Sequence, residues 1–408
     1  MRVLFAVSDF TKLIRTKEYE RYWPILKELS SLGIDVDVCA PWSPSGREEE
    51  VKDGVHFFFL CQNQRGGTYQ FFYQLSQFVI NAHRDFPISI IHFLDPFPAY
   101  QMSILKKKVG TRFIFDVTLL SISELFYLFN KSSESLRNQI QIALKTAYLF
   151  AINYFSRDRD FLRVADGIFV YSPDERFFLE RYYFYPDSRI FFSYRTAIIK
   201  EPSSDTKPLP AILGASPVLT DAPSIFLLFS EMKSQDETVQ VLRAFERVVI
   251  KRRNTFLYII GSGPSYRRVE YELLSLALGN YAFMLGELTT EEISRWIQMA
   301  DVVIDLNPTL RQGEVYLIEA MLRRKLVIAS ELGGWAHIID NGVDGFLVRP
   351  ADVESLSQLM LRLLQNREMW GEIQNKAYEK ATQVFNPGKA VDFLVKAYQT
   401  VLEREVRL

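Results

Sequence analysis

Cysteine and histidine are scarce in this chain, and each scarcity removes a class of chemistry. Two cysteines, Cys39 and Cys61, cannot build a disulfide framework. Both sit in or beside apolar strand-like runs and read as buried free thiols of a reducing compartment. The four histidines, His56, His83, His92 and His337, fall at no metal-ligand spacing, and no zinc pattern exists. An excess of charge of one sign is also lacking: a net charge of −1 leaves no electrostatic footprint for nucleic acid. No apolar run approaches the ~20 residues that span a bilayer. MRVLFAVSD is short, ends on a charge, and reads as a first strand rather than a signal peptide, so the expected location is cytoplasmic, free or peripheral at the inner face of the membrane. Gly-x-Ser-x-Gly elbows and P-loops are absent, and the acidic pairs are indistinguishable from a solvated surface, which leaves a glycoside-hydrolase reading without an anchor.

What is present is a rhythm. β-branched and aromatic runs recur at Val3–Val7, Asp35–Cys39, Val55–Leu60, Ile88–Phe93, Phe113–Val117, Gly167–Tyr171 and Arg189–Ser193. Helical patterns such as Tyr22–Leu32 and Tyr69–Asn81 lie between them, with Pro24 expected near the N-terminus of its helix, since a deeper proline breaks one. This alternation predicts a parallel sheet covered by helices on both faces. Between Thr196 and Pro223, five prolines in a polar span read as a linker. The alternation then resumes with Ser224–Phe229, a helix near Thr238–Ile250, Phe256–Ile260, a Gly261–Pro264 turn, Ala282–Leu285, a capping box at Thr289 and Glu292, Val302–Leu306 and Leu326–Ala329. A chain of 408 residues suggests two domains of roughly 200 residues each. The expected division is 1–200, a linker over 201–223, and 224–387. The amphipathic tail 388–408, with Val391, Phe393, Leu394, Ala397 and Val401 on one face, is expected to pack back on the first domain.

Three basic clusters, Lys106–Lys108, Lys251–Arg253 and Arg323–Lys325, fall where helices should end and complement their dipoles. Ala147–Phe155, flanked by Lys145, Arg157 and Arg159, reads as a core helix or as an amphipathic helix lying on a membrane surface. Phe57–Phe59 and Phe71–Tyr73 read as core, with glycan binding as the other use of such rings.

The run Asp301–Leu347, DVVIDLNPTLRQGEVYLIEAMLRRKLVIASELGGWAHIIDNGVDGFL, resembles the nucleotide-sugar half of family 4 glycosyltransferases. The resemblance extends over nearly the whole chain and is strongest from Ser224 onward. It implies the GT-B architecture, two Rossmann-like doubly wound parallel-sheet domains facing a cleft. It also implies retaining sugar transfer from a nucleotide-sugar without an obligatory metal or cofactor, to a glycan or lipid-linked acceptor. In family members a glutamate of the Glu-Ala-Met segment, here Glu319 and expected on the first turns of its helix, contacts the nucleotide ribose. Gly261 and Gly263 stand where the base is approached, with Gly286 and Leu288 in the next loop. The amides of Gly313, Glu314 and Val315 stand where a diphosphate can be met by backbone donors.

Other family positions have changed. The second glutamate, expected eight residues before Glu319, is Arg311. The Arg and Lys that grip the diphosphate correspond to Glu231 and Asp236, with Lys233 between them. At an effective dielectric of ~20, a carboxylate ~4 Å from a phosphate costs on the order of 4 kcal/mol where a cation gains as much. The glycine pair after the first strand falls at Lys17-Glu18, the donor-contacting histidine at Thr118, and the Asn-Gly near the linker at Tyr194-Arg195. His92 matches a family histidine and also reads as a core residue. Two readings stay open: an enzyme with a rebuilt donor site, in which Arg311 and Lys233 supply charge, and an inactive relative serving as scaffold, partner subunit or glycan-binding protein.

Overall fold

The computed structural model describes residues 1–7, 17–43, 46–61, 68–94, 99–117, 148, 158–193, 223–232, 235–307, 313–349 and 351–404. The chain divides into two compact units, Met1–Thr196 with Phe385–Leu408, and Ala197–Val384.

The first unit is built on eight strands: β1 (Arg2–Ala6), β2 (Asp35–Ala40), β3 (Glu49–Lys52), β4 (Val55–Phe59), β5 (Ile90–Phe93), β6 (Arg112–Val117), β7 (Gly167–Val170) and β8 (Ile190–Phe192). They lie in the order β3-β4-β2-β1-β5-β6-β7-β8. Every pairing is parallel except β3 with β4. Alternation explains the two-sided core. Leu4, Ala6, Ile91, Phe93, Phe113, Phe115, Ile168 and Val170 enter one buried cluster, whereas their neighbours Val3, Phe5, Ile90, Ile114 and Phe169 enter the other. A strand presents successive residues to opposite faces, so burial on both requires helices on both.

Those helices include α1 (Lys17–Ser31), α2 (Thr68–Asp85), α3 (Ala99–Val109), α4 (Arg159–Val164) and α5 (Pro173–Tyr182). Pro24 corrects an expectation: it lies inside α1, not at its start. The ring removes one helical hydrogen bond, a cost of ~3 kcal/mol. Helix continues past it because Tyr22, Leu26 and Leu29 bury on both sides of the proline. Strand β3 was not anticipated. It is a charged edge strand whose hairpin turns at Asp53 and Gly54, both with positive φ (48° and 79°), the backbone of a type I′ loop.

The second unit carries β9 (Ser224–Phe229), β10 (Thr255–Ile260), β11 (Ala282–Gly286), β12 (Val302–Asp305), β13 (Leu326–Ser330) and β14 (Phe346–Val348). Their order is β11-β10-β9-β12-β13-β14, all parallel. The helices are α6 (Gln235–Lys251), α7 (Tyr266–Ser275), α8 (Thr290–Met299), α9 (Gly313–Leu322), α10 (Val353–Gln365) and α11 (Trp370–Val384). Numbered within the unit, this is the 3-2-1-4-5-6 order of a doubly wound sheet, whose crossovers diverge between β9 and β12. The capping box of α8 is present in both directions, from Thr289 to Glu292 and back.

The chain ends in α12 (Pro387–Glu403), capped by Asn386, whose side chain accepts from Gly388 and Lys389. Val391, Leu394, Ala397, Tyr398 and Val401 of this helix share a buried cluster with Val3, Phe5 and Phe169 of the first unit's sheet. The linker over 201–223 and the Ala147–Phe155 segment, Tyr148 excepted, lie outside the described residues. Among the described residues no helix is long and apolar enough to cross a membrane.

Candidate functional site

In a doubly wound sheet the crevice for a ligand opens beyond the carboxyl ends of the strands, where the crossovers diverge. In the second unit that place is the end of β9 and β12. Loops converge there because they are tied to one another through backbone. Ser230 N–H donates to Ile260 O at 3.0 Å, Gly261 N–H to Gly286 O at 2.9 Å, and Ser265 N–H to Met232 O at 3.0 Å. Side chains tighten the first turn: Met232 N–H donates to Ser230 Oγ, which also meets Thr238 Oγ1 at 2.6 Å. Met232, at φ 45°, holds a left-handed backbone with its side chain fully buried.

Gly261 and Gly263 acquire a definite reason. A Cβ on Gly261 would lie 1.9 Å from Ser230 O, and one on Gly263 would lie 2.1 Å from Glu231 O. These glycines let two loops of the protein touch, one of which carries Glu231. Leu288 stands just before the cap Thr289, the position from which a hydrophobic residue staples a helix start.

Across the divergence, Asp305 ends β12 buried, and its Oδ1 accepts from Asn307 N–H at 2.9 Å. Tyr316 of α9 stacks on Phe229 of β9 with ring centroids 4.3 Å apart. Val315 is half-buried one residue earlier. Glu319 is buried, and its Oε1 lies 3.1 Å from Arg323 Nε, with side-chain exposures of 5% and 8%. The expected place of Glu319 on the first turns of its helix is corrected: it is the seventh of the ten residues of α9, in the last turn. A carboxylate there opposes the helix dipole. Arg323, expected only to cap a helix end, supplies the opposing charge. Its neighbours also have specific partners: Arg324 (φ 55°) packs on the Tyr378 ring at 4.1 Å, and Lys325 donates to Gln298 O at 2.7 Å.

Glu231 is half-buried beside the Gly263 loop. Asp236 is the second residue of α6 and Glu314 the second of α9; Gly313 opens α9. Lys17 and Glu18 open α1. Side chains of these helix-start residues, and all of Lys233, Arg311, Thr118, Tyr194 and Arg195, lie outside what the structure describes. The acids at Asp236 and Glu314 fall in first turns, where the dipole favours them. Sequence reasoning missed Asp305, Tyr316 and Arg323. The signal that reaches Arg323 is its i,i+4 spacing from Glu319.

In the first unit, His92 is a core residue with both ring nitrogens engaged. Nε2 lies 2.8 Å from Asp116 Oδ1 and Nδ1 lies 2.7 Å from the Tyr398 hydroxyl. Because an ionised carboxylate only accepts, Nε2 carries the proton and Nδ1 accepts from Tyr398. Asp116 Oδ2 also accepts from Tyr171 at 2.6 Å and from Tyr22. Burial holds the Tyr398 hydroxyl well above its ordinary pKa, with Asp116 adding to the effect. The imidazole sits between Phe5 and Phe169. Among the described residues, no group of three His, Cys, Asp or Glu can hold a metal. A groove of about 470 Å³ follows β14; its charged lining is partly self-paired, Arg349 to Glu331 at 3.1 Å.

Residues 216–384 match the family model described as glycosyl transferases group 1. The chain is 22% identical over 184 residues to N-acetyl-alpha-D-glucosaminyl L-malate synthase of Bacillus anthracis, covering 45% of this chain and 47% of that protein. It spans about half or less of the length of the curated relatives it matches. Among solved structures, sucrose-phosphate synthase of Thermosynechococcus elongatus is similar with a TM-score of 0.72 at 15% identity, covering 98% of this chain and 99% of that one. Anabaena Alr3699/HepE in complex with UDP and glucose is similar with a TM-score of 0.68 at 15% identity, covering 98% and 100%. The fold is thus that of GT-B glycosyltransferases, two parallel-sheet α/β units, and the second unit carries the group 1 match.

Proposed function

We propose that this chain is a glycosyltransferase of the retaining family 4 type, transferring a sugar from a nucleotide-sugar donor to a growing glycan or lipid-linked acceptor. The observation that carries this reading is Glu319: a buried carboxylate in the last turn of α9, where the helix dipole disfavours it, within the region matched to group 1 glycosyltransferases. The dipole alone disfavours a carboxylate there and the pair with Arg323 offsets that cost; hydrogen bonding to a ribose diol is the use we assign to it. The loop of Gly261–Gly263, packed on Ser230 and Glu231, supports a floor for the base. The first-turn amides of α9 support a diphosphate contact. In the reaction the bond between the anomeric carbon and the diphosphate breaks. The acceptor oxygen bonds that carbon on the same face, and its proton passes to the departing phosphate oxygen. Such a mechanism needs no protein nucleophile, so stabilising the leaving charge is the main catalytic task. Lys233 and Arg311 are the cations we assign to it.

A second reading, a relative that keeps the fold without donor turnover, is favoured by one observation, the engagement of Glu319 by Arg323. Calorimetric titration with UDP, GDP, ADP and their sugar conjugates separates the two. UDP comes first because the Anabaena relative was solved with UDP and glucose. Micromolar binding of one nucleotide, lost in Glu319→Ala, supports the enzyme. Absence of binding by all of them refutes it and leaves the inactive reading.

A further inference from the structure

At the amino ends of β6, β7 and β8, on the side of the first unit's sheet opposite its carboxyl-end loops, two cations reach one carboxylate and two more stand beside them. Lys106 Nζ lies 2.7 Å from Asp166 Oδ2 and also donates to Val164 O at 2.6 Å. Arg112 Nη1 lies 3.9 Å from Asp166 Oδ1, and its Nη2 donates to the carbonyl of Arg404. The Arg404 guanidinium in turn donates to Ser188 O and lies over the Phe191 ring at 5.7 Å. Arg189, next in sequence to Ser188, hydrogen-bonds the Tyr185 hydroxyl. All four cations are half-buried.

Asp166 is the carboxylate that the described contacts place among them. It is already committed, accepting from Phe113 N–H at 2.8 Å as well as from Lys106. The nearby Asp187 is taken by Arg176. One donor, Arg404 Nη1, is buried without a hydrogen-bond partner among the described residues. Among the described residues, surplus positive charge, an orphan guanidinium N–H and cations held in place by carbonyls are three separate features of this patch. Each is resolved by the same ligand, an oxyanion with several acceptor oxygens.

We propose that Arg112, Arg189 and Arg404, with Lys106, form a binding site for a phosphate group, separate from the proposed nucleotide-sugar site. The charge balance agrees. Burial pulls the Lys106 ammonium below its ordinary pKa in spite of Asp166, and Arg112 and Arg189 push the same way. Burial likewise lowers Arg404, with Arg189 adding repulsion. Substrates of parallel sheets enter at the carboxyl ends of strands, so a phosphate at the amino ends acts as a second ligand and not as the donor.

The test is titration of the full chain with inorganic phosphate and pyrophosphate, alongside cosedimentation with phosphatidylcholine vesicles containing phosphatidic acid. We expect saturable phosphate binding, weakened about tenfold in Arg189→Gln and in Arg404→Gln and restored in Arg189→Lys. Melting curves of the variants check that each folds. Binding of free phosphate with no vesicle association assigns the site to a soluble phosphate compound. Vesicle association lost in the same variants assigns it to a lipid headgroup. No binding in either arm, or binding untouched by both Gln substitutions, overturns the proposal.

Discussion

Replacing Arg323 by Met isolates the energetics of the candidate site. The arginine side chain is 8% exposed and Glu319 5% exposed, so water cannot compensate the carboxylate when the guanidinium is removed. Breaking a buried ion pair from one side costs about 3–5 kcal/mol. The C-terminal end of α9 adds about 0.3–1 kcal/mol of dipole repulsion. Arg323→Met is therefore expected to destabilise the protein by about 4 kcal/mol. Glu319→Gln alone should cost less, because the remaining arginine can rotate toward solvent and gains from the helix end. The double variant Glu319→Gln/Arg323→Met removes both charges and should recover most of the loss. Urea denaturation of the four proteins then yields a coupling energy of about 2–3 kcal/mol. A loss below 1 kcal/mol for Arg323→Met, or strictly additive singles, would refute the claim that this carboxylate is buried and charge-compensated in place.

Three further outcomes follow from local geometry. Gly261→Ala and Gly263→Ala bring a Cβ to 1.9 Å and 2.1 Å from backbone oxygens, whereas Gly279→Ala meets nothing within 4 Å. The first two should lower the melting temperature by the equivalent of about 2–3 kcal/mol and the third should be neutral, as read by calorimetry. Tyr398→Phe strands the Nδ1 acceptor of buried His92 and should cost about 1–3 kcal/mol in urea denaturation. Thr289→Ala should cost about 1 kcal/mol at pH 7. The Thr289 backbone and hydroxyl bonds hold Glu292 below its ordinary 4.5. Its share of the cap is therefore present above that value and disappears as pH falls through the depressed one. The share is a few tenths of a kcal/mol, because the group is exposed. A penalty for Glu292→Gln that persists unchanged under acid would contradict the assignment.

The fold was legible because burial on both sheet faces writes itself as short continuous apolar runs. Ser224–Phe229, Leu326–Ala329 and Phe113–Val117 needed no partner to be recognised. Glu49–Lys52 has no such run: as an edge strand it is charged. The Asp53-Gly54 pair is its available signal, and the strand before it has no apolar alternation to go with it. Pro24 misled for a related reason. Local propensity places a proline at a helix start, but tertiary burial of Tyr22, Leu26 and Leu29 outweighs one missing hydrogen bond. Residue by residue, the pattern on α12 included Phe393, which is only partly buried, and omitted Tyr398, which is fully buried. A buried tyrosine hydroxyl usually has a partner. That partner, His92, is 306 positions away in sequence, beyond the reach of any helical period.

The candidate site was legible as positions but not as interactions. The family resemblance pointed to Glu319, and the glycines pointed to the loops after β10 and β11. Their physical meaning depends on what stands opposite, and that is set by strand order. Only once β9 lies between β10 and β12 do Gly263 and Glu231 come into backbone contact and Tyr316 come to cover Phe229. The same dependence changes how the charge exchanges should be weighed. Taken as a line of sequence, Glu231 and Asp236 are two anions in place of two cations. In the fold, Asp236 belongs to the first turn of α6, where an acid stabilises the helix whether or not a phosphate is present. Glu231 sits against the Gly261–Gly263 loop, where its backbone oxygen is what the glycine accommodates. Asp236 therefore has a local explanation, whereas the backbone oxygen at position 231 would meet Gly263 with any side chain and gives no reason for a carboxylate. That removes one of the two anions from the electrostatic case against donor binding and makes the Glu319–Arg323 pair the feature on which the two readings divide.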